Sequence, residues 1–426
     1  MSYCHLYRVP ILIIIEAMPH SDIVKTLIDY IEQNADVKVA FHVAFTCAAQ
    51  TGILKKYDIF TLNDYFAFYD KMLKWIPREN STGTQVYEYL CLFYYVLDQY
   101  PVVELQTPVN PSGGWTWLSQ WLINYAQEMG KFMDTAESIN EETLKTFYEA
   151  PVYHMQDYPV PPGGWKSFNE FFARRIEPSL RPIAEPENYK VIVSPADSTF
   201  RGCWPIDEHC NTYFTVKGIP WNISQLLENT MYANRFKGGR FMHSFLNTTD
   251  YHRQHAPVGG KVLEARVVSG ICYFEVIVAN DAHGKPGIVP RRHLAHHPKF
   301  KHHTHVEQHH IHHVPVQSNI QAPTSGLQAP DSPGYQFIQA RGLVIIDNPE
   351  LGLVAVLPIW MAQVSSVKLS VKPGDIVEKG DEISYFHMGG SDIVMVFEKK
   401  ANVIFPDPTI PPTHFKFGEK LAVANP

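Results

Sequence analysis

Three short segments carry residue types that can do chemistry together. Ser194-Pro195-Ala196-Asp197 places a carboxylate directly after a predicted strand, and Tyr251-His252-Arg253-Gln254-His255-Ala256-Pro257 holds two imidazoles three residues apart. Gly389-Gly390-Ser391 puts a hydroxyl behind two glycines, between two predicted strands near the C-terminus. Each has an ordinary explanation when it stands alone: a turn-forming Asp, a surface or core His pair, a Gly-Gly-Ser turn. Together they supply an acid, a base and a nucleophile. Serine oxygen attacks poorly until an imidazole takes its proton, and a carboxylate must orient that imidazole. The chain order is Asp, His, Ser, and no G-x-S-x-G elbow is present, which disfavours an α/β-hydrolase.

The surrounding sequence resembles the phosphatidylserine decarboxylase family of pyruvoyl enzymes. The matching stretches are FNEFFARRIEPSLRPI (168–183), VSPADS (193–198), FLNTTDYHRQHAPVGGKV (245–262) and VKPGDIVEKGDEISYFHMGGS (371–391). Their order and spacing match as well. VKGIPWNISQLLEN (216–229) and DNPELGLVAVLPIWMAQVSS (347–366) look like the branch of soluble fungal tryptophan decarboxylases. The likeness is looser in the N-terminal half, around Asn34 to Phe45, Asn63 to Pro77 and Leu122 to Ile139.

The resemblance implies a self-made cofactor. Ser391 attacks the carbonyl of Gly390, the amide becomes an ester, and β-elimination then cuts the chain and leaves a pyruvoyl group in place of Ser391. His255 is implied as the base, oriented by Asp197, and His252 as the proton donor to the decarboxylated carbon. The expected products are a large chain, 1–390, and an associated small chain of 36 residues, 391–426. No metal site is implied. Two positions depart from the family pattern: Asp392 stands where Ser or Thr is usual, and Ser198 where Gly is usual. A carboxylate beside the scissile bond can act as a local base or repel the developing oxyanion. A β-carbon at 198 restricts the turn that carries Asp197.

The elements that must position these residues read as α+β. Apolar residues recur at helical spacing in Ile23 to Ile31, Tyr65 to Ile76, Val86 to Leu97 and Trp115 to Phe132. PVPPGG (159–164) breaks this pattern, so a helical domain is expected over 1–160 and a β-rich catalytic domain over 161–426. Ser167 and Glu170 have capping-box spacing and predict a short helix there. From about residue 190, short runs rich in Val, Ile, Phe and Tyr alternate with turn residues, as in Val262 to Val268, Leu353 to Leu357 and Ile393 to Phe397. The stretch 367–387 also resembles a lipoyl or biotinyl carrier hairpin, with Lys372 and Lys379 near its turns. It reads better as barrel-sandwich geometry serving another site. Residues 283–333 read as a surface insertion holding ten histidines between His293 and His313. Such a tract binds metal adventitiously, and no carboxylate or cysteine pattern fixes a geometry.

Composition bounds the function. The 426 residues are 45% hydrophobic, enough for a large core, and the formal net charge of -7 argues against a general nucleic-acid binder. The longest N-terminal apolar run, Val9 to Ile15, is far short of the roughly 20 residues of a membrane span. With no membrane span in view, the resemblance to the soluble fungal branch implies a cytoplasmic enzyme acting on a free amino acid, an aromatic one such as tryptophan first. The alternatives are phosphatidylserine as substrate, giving phosphatidylethanolamine, and an uncleaved relative that only binds a ligand or metal.

Overall fold

A computed structural model describes residues 19–106, 114–209, 211–216, 219–274, 276–280, 286–290, 295–296, 327–328, 338–361, 367–407 and 413–425. Val9 to Ile15 and the histidine run, apart from the strand Ala295–His296, lie outside the described residues. The architecture is α+β, with helices first and antiparallel sheets after them.

Four of the expected helices are present, at Asp22–Gln33, Leu62–Leu73, Gln85–Tyr95 and Trp117–Met133. Two more, Ala35–Gln50 and Glu141–Tyr148, were not anticipated from the sequence. The first of these buries Val37, Ala40, Phe41, Ala44 and Ala48. Its buried stripe is mostly alanine, which gives helical spacing but little hydrophobic contrast. The aromatic stripes form core. Tyr65, Tyr69, Phe93 and Tyr125 are fully buried, and the hydroxyls of Tyr65 and Tyr125 donate to the carbonyls of Phe93 (2.5 Å) and Tyr69 (2.6 Å). Those bonds remove the cost of burying a phenol. The short helix Phe168–Phe172 is capped by Ser167, whose hydroxyl accepts from the Glu170 amide at 3.2 Å.

The main sheet has eight antiparallel strands. Their order is Ile376–Val377, Gly260–Val268, Arg341–Asn348, Gly352–Met361, Gly390–Phe397, Arg240–Leu246, Ser198–Pro205 and His414–Phe415. Residues 352–360 and 392–397 are buried without alternation, so the centre of this sheet is covered on both faces. A second sheet joins Val367–Leu369, Glu382–Phe386 and Arg253–His255, and a third joins Val191–Val193, Lys420–Ala424 and Val403–Ile404. The carrier-hairpin likeness goes no further than shape. Lys379 is buried, and its ammonium donates to the carbonyls of Glu185 and Asn188 at 2.7 and 2.8 Å, so it is not an exposed attachment lysine.

Helices and sheets share one apolar core. The Val276 amide donates to Asp98 Oδ2 (2.8 Å) across the two parts, and the short helix is tied to the helical part by the Phe168 amide on Ser138 Oγ (2.8 Å) and Asn169 Nδ2 on Asp134 Oδ1 (2.8 Å). The helical part thereby holds Phe168–Phe172 against the sheets. Among the described residues, no helix is long and apolar enough to cross a membrane.

Candidate active site

Gly390 and Ser391 open the strand Gly390–Phe397 in the middle of the main sheet. The backbone of Ser391 is in register with Trp360 on one side and Leu246 on the other. Gly389, just before it, has φ +151°, a backbone conformation that side chains oppose. The Phe386 amide donates to the carbonyl of His252 (2.9 Å), and the Met388 amide to Asn169 Oδ1 (3.0 Å). The turn before the glycines is therefore tied to both the histidine segment and the short helix. The strand Arg240–Leu246 ends opposite Ser391, and its chain continues directly through Asn247–Tyr251 into His252.

His252 is wholly buried. Neither ring nitrogen has a hydrogen-bond partner, and the ring lies on that of Phe172 at 4.0 Å. Burial, reinforced by the positive charge of Arg174, pushes its pKa down to about 3, so the ring is neutral at physiological pH. Two residues on, the chain pairs as the strand Arg253–His255, and this separates the two imidazoles. His255 has its own surroundings: its ring stacks on Phe417 (3.8 Å, 7°), Nδ1 lies 2.7 Å from the Gly380 carbonyl, and Nε2 lies 3.2 Å from the Tyr251 hydroxyl. Only a ring N–H can pair with a carbonyl, so Nδ1 carries the proton and Nε2 accepts from Tyr251. Burial lowers the pKa of His255 to about 4.

Asp197 makes no hydrogen bond to His255. Its carboxylate is gripped by Arg181, through Nε (3.1 Å) and Nη2, and accepts the Phe417 amide at 2.8 Å. Phe417 thus links the two groups, its amide on Asp197 and its ring on His255. The charge of Asp197 still favours a protonated His255, as a field rather than a contact. Ser198 is buried, and its hydroxyl donates to the Ala196 carbonyl (3.3 Å) within the turn.

Asp392 is turned toward His243. Oδ2 of Asp392 lies 3.2 Å from Nε2 of His243, and both side chains are fully buried. The two strands place Asp392 opposite Phe245 and His243 opposite Val394, so the pair is diagonal across one face. Sequence reasoning missed Arg181, His243, Asn169 and Phe417. Arg181 and Asn169 lie inside the matching stretch 168–183, where a charged and a polar residue in an aromatic-rich segment were a usable signal. Nothing local marks His243 or Phe417.

Comparison with known proteins places the chain in a family. The family model of phosphatidylserine decarboxylase matches residues 168–423. Decarboxylase iboD of Amanita muscaria is 27% identical over 319 residues, covering 72% of this chain and 82% of that protein. Phosphatidylserine decarboxylase proenzyme 3 of Schizosaccharomyces pombe is 28% identical over 64% of this chain, which spans 22% of its length. L-tryptophan decarboxylase of Psilocybe cubensis is 27% identical over 57% of this chain and 48% of its own. The chain is a carboxy-lyase. The chain belongs to the phosphatidylserine decarboxylase family.

Proposed function

We propose that the chain cuts itself between Gly390 and Ser391, carries the resulting pyruvoyl group at the head of residues 391–426, and removes carbon dioxide from a free α-amino acid, an aromatic one first. The observation that carries this reading is the scissile pair at the start of a central strand, next to the strand that runs into a wholly buried His252. The glycine backbone at 389 and the unbonded ring nitrogens of His252 fit such a group. When present, a pyruvoyl ketone supplies an electron sink for an α-amino carboxylate.

The protein's own groups then divide the work. His255, neutral and fixed as the Nδ1–H tautomer, presents Nε2 as the base for maturation, and the charge of Asp197 favours the imidazolium it becomes. Arg181 and Phe417 fix where that charge sits. Burial also holds His252 neutral, so a proton it delivers must first be received. The ammonium group of the substrate is the source, and the decarboxylated α-carbon is the destination.

The name of the Psilocybe relative favours an amino acid, while the proenzyme names of other relatives keep phosphatidylserine as the second reading. A denaturing gel with intact-mass measurement tests the first step: two chains meeting at Gly390/Ser391 are expected, with a blocked N-terminus on the smaller. Ser391→Ala should stay in one piece. Folded wild-type protein that stays whole would overturn the proposal. Carbon dioxide release from tryptophan, tyrosine, phenylalanine and phosphatidylserine decides the substrate, and release from the lipid alone would reverse the ranking.

A further inference from the structure

Four arginines lie on the segments around the two histidines, and three have acids. Arg175 and Arg253 both reach Glu382 (2.7 and 2.8 Å), and Arg181 holds Asp197. Arg174 is different. It is 3% exposed, and neither Nε nor Nη2 has a hydrogen-bond acceptor. Its guanidinium carbon lies 4.2 Å from the ring centre of Tyr158, 5.1 Å from Phe171 and 5.7 Å from Tyr153. Aromatic faces offset part of the cost of burying the cation. They do nothing for N–H groups that point along the guanidinium plane. Nε and Nη2 form the edge that takes a carboxylate side-on, and on Arg181 those two atoms grip Asp197.

Arg174 also sits beside the proposed proton donor. Phe172, two residues earlier, packs against the His252 ring at 4.0 Å, and the Ala173 carbonyl accepts Arg253 Nε (2.7 Å), one residue beyond His252. Tyr158, which covers the guanidinium, packs against Tyr251 with ring centres 6.4 Å apart. The positive charge is felt at His252, where it adds to the effect of burial.

We propose that Arg174 is the seat of the substrate's α-carboxylate, held side-on by Nε and Nη2 within the ring cage and presented toward His252. This rests on the decarboxylase reading above and names how that site recognises its substrate. Free amino acids and the phosphatidylserine head group share this carboxylate, and the product amine lacks it. As the Cα–carboxylate bond breaks, its electron pair stays on the α-carbon and the carboxylate departs as neutral carbon dioxide. Arg174 therefore discriminates substrate from product, and it acts mainly on binding, on KM more than on kcat.

The test compares wild type, Arg174→Gln and Arg174→Lys. All three are first checked on a denaturing gel for self-cleavage, then incubated with cyanoborohydride and either L-tryptophan or tryptamine. A parallel arm uses phosphatidylserine or phosphatidylethanolamine in mixed micelles. The readout is the mass adduct on the small chain against ligand concentration, with turnover measured separately. In Arg174→Gln the concentration of the carboxylate-bearing ligand needed for half-labelling should rise about 10- to 100-fold, as for loss of a charge-assisted bidentate contact. Labelling by the matching amine should change less than about 2-fold, with Arg174→Lys intermediate. Equal weakening of both ligands, or of neither, in a normally cleaved variant overturns the assignment of Arg174 alone. If Arg174→Gln does not fold, wild type decides: it must label with tryptophan at least about 10-fold more readily than with tryptophan amide, and equal labelling refutes the carboxylate seat. A wild-type protein that stays in one piece removes the underlying reading instead.

Discussion

Replacing Arg181 by Met takes away the cation that holds Asp197. Both side chains are 6% exposed, and the carboxylate would keep only the Phe417 amide. Breaking a buried pair from one side costs about 3–5 kcal/mol, because the surviving charge stays desolvated. At about 1.4 kcal/mol per decade, that is roughly two to three and a half powers of ten in the folding equilibrium. Removing both charges in Arg181→Met/Asp197→Leu should recover most of the loss, leaving a coupling of several kcal/mol between the two sites. Denaturant unfolding measures this in the Ser391→Ala background, where the chain stays whole. Self-cleavage is followed in parallel on a gel with Ser391 restored. Arg181→Met should slow it about as much as Asp197→Asn, since both disturb the charge that Phe417 places behind His255. If Arg181→Met costs less than about 1 kcal/mol, or the two changes simply add, the pair is solvent-screened and the argument fails. If Arg181→Met unfolds no more easily but still blocks cleavage, Arg181 does something other than clamp Asp197.

Two other expectations concern neighbouring groups. His252 and His255 are neutral in the fold with pKa values near 3 and 4, against about 6.5 unfolded, so the unfolded chain binds more protons between these limits and stability falls as pH falls below about 6.5. Each should remove about 2 kcal/mol between pH 6.5 and 5. His387, lowered by burial, acts in the same direction, while His414, raised by its bond to Asp250, loses its contribution as pH rises. Stability measured against pH for Ser391→Ala with and without His252→Asn isolates one group, and an unchanged slope would rule out a neutral buried His252. In the buried pair His243–Asp392, His243→Leu should slow self-cleavage by removing the imidazole that the carboxylate next to the scissile bond faces at 3.2 Å. Adding Asp392→Ser should restore it, and cleavage slowed further in the double variant would show that the two residues do not act as a pair.

The strands and helices with strong periodicity were legible. Gly352–Met361, Arg341–Asn348 and Gly390–Phe397 are runs of branched residues, and all lie in the sheet centre where such runs belong. Ser198–Pro205 and Arg240–Leu246 were not read as strands. Gly202, Cys203 and Trp204 in one, and His243 and Ser244 in the other, break the alternation, and their pairing comes from neighbours distant in sequence. At the candidate site, residue types, order and the family resemblance singled out Asp197, His252, His255 and Gly390–Ser391 as candidates. Their contacts were not legible. A direct Asp–His bond is the simplest use of that trio, but a second carboxylate ligand, Arg181, lay 16 residues upstream and a ring spacer, Phe417, lay 220 residues downstream. Three-residue spacing likewise does not fix whether the imidazoles share one face, which a turn allows and a strand does not. The strand pairing of Arg253–His255 sends them to different rings.

The tail from 391 onward supplies nearly the whole central strand, one edge strand of the same sheet and two of the three strands of the sheet that holds Val191–Val193, and through Phe417 it reaches His255. A cut before Ser391 would therefore free no peptide. The severed piece would remain threaded through two sheets, as a subunit that was folded while still part of its partner. Once unfolded, the halves would have to find each other by diffusion, a step the newborn chain never faced, so the mature protein would owe its persistence to slow opening and not to reversible equilibrium.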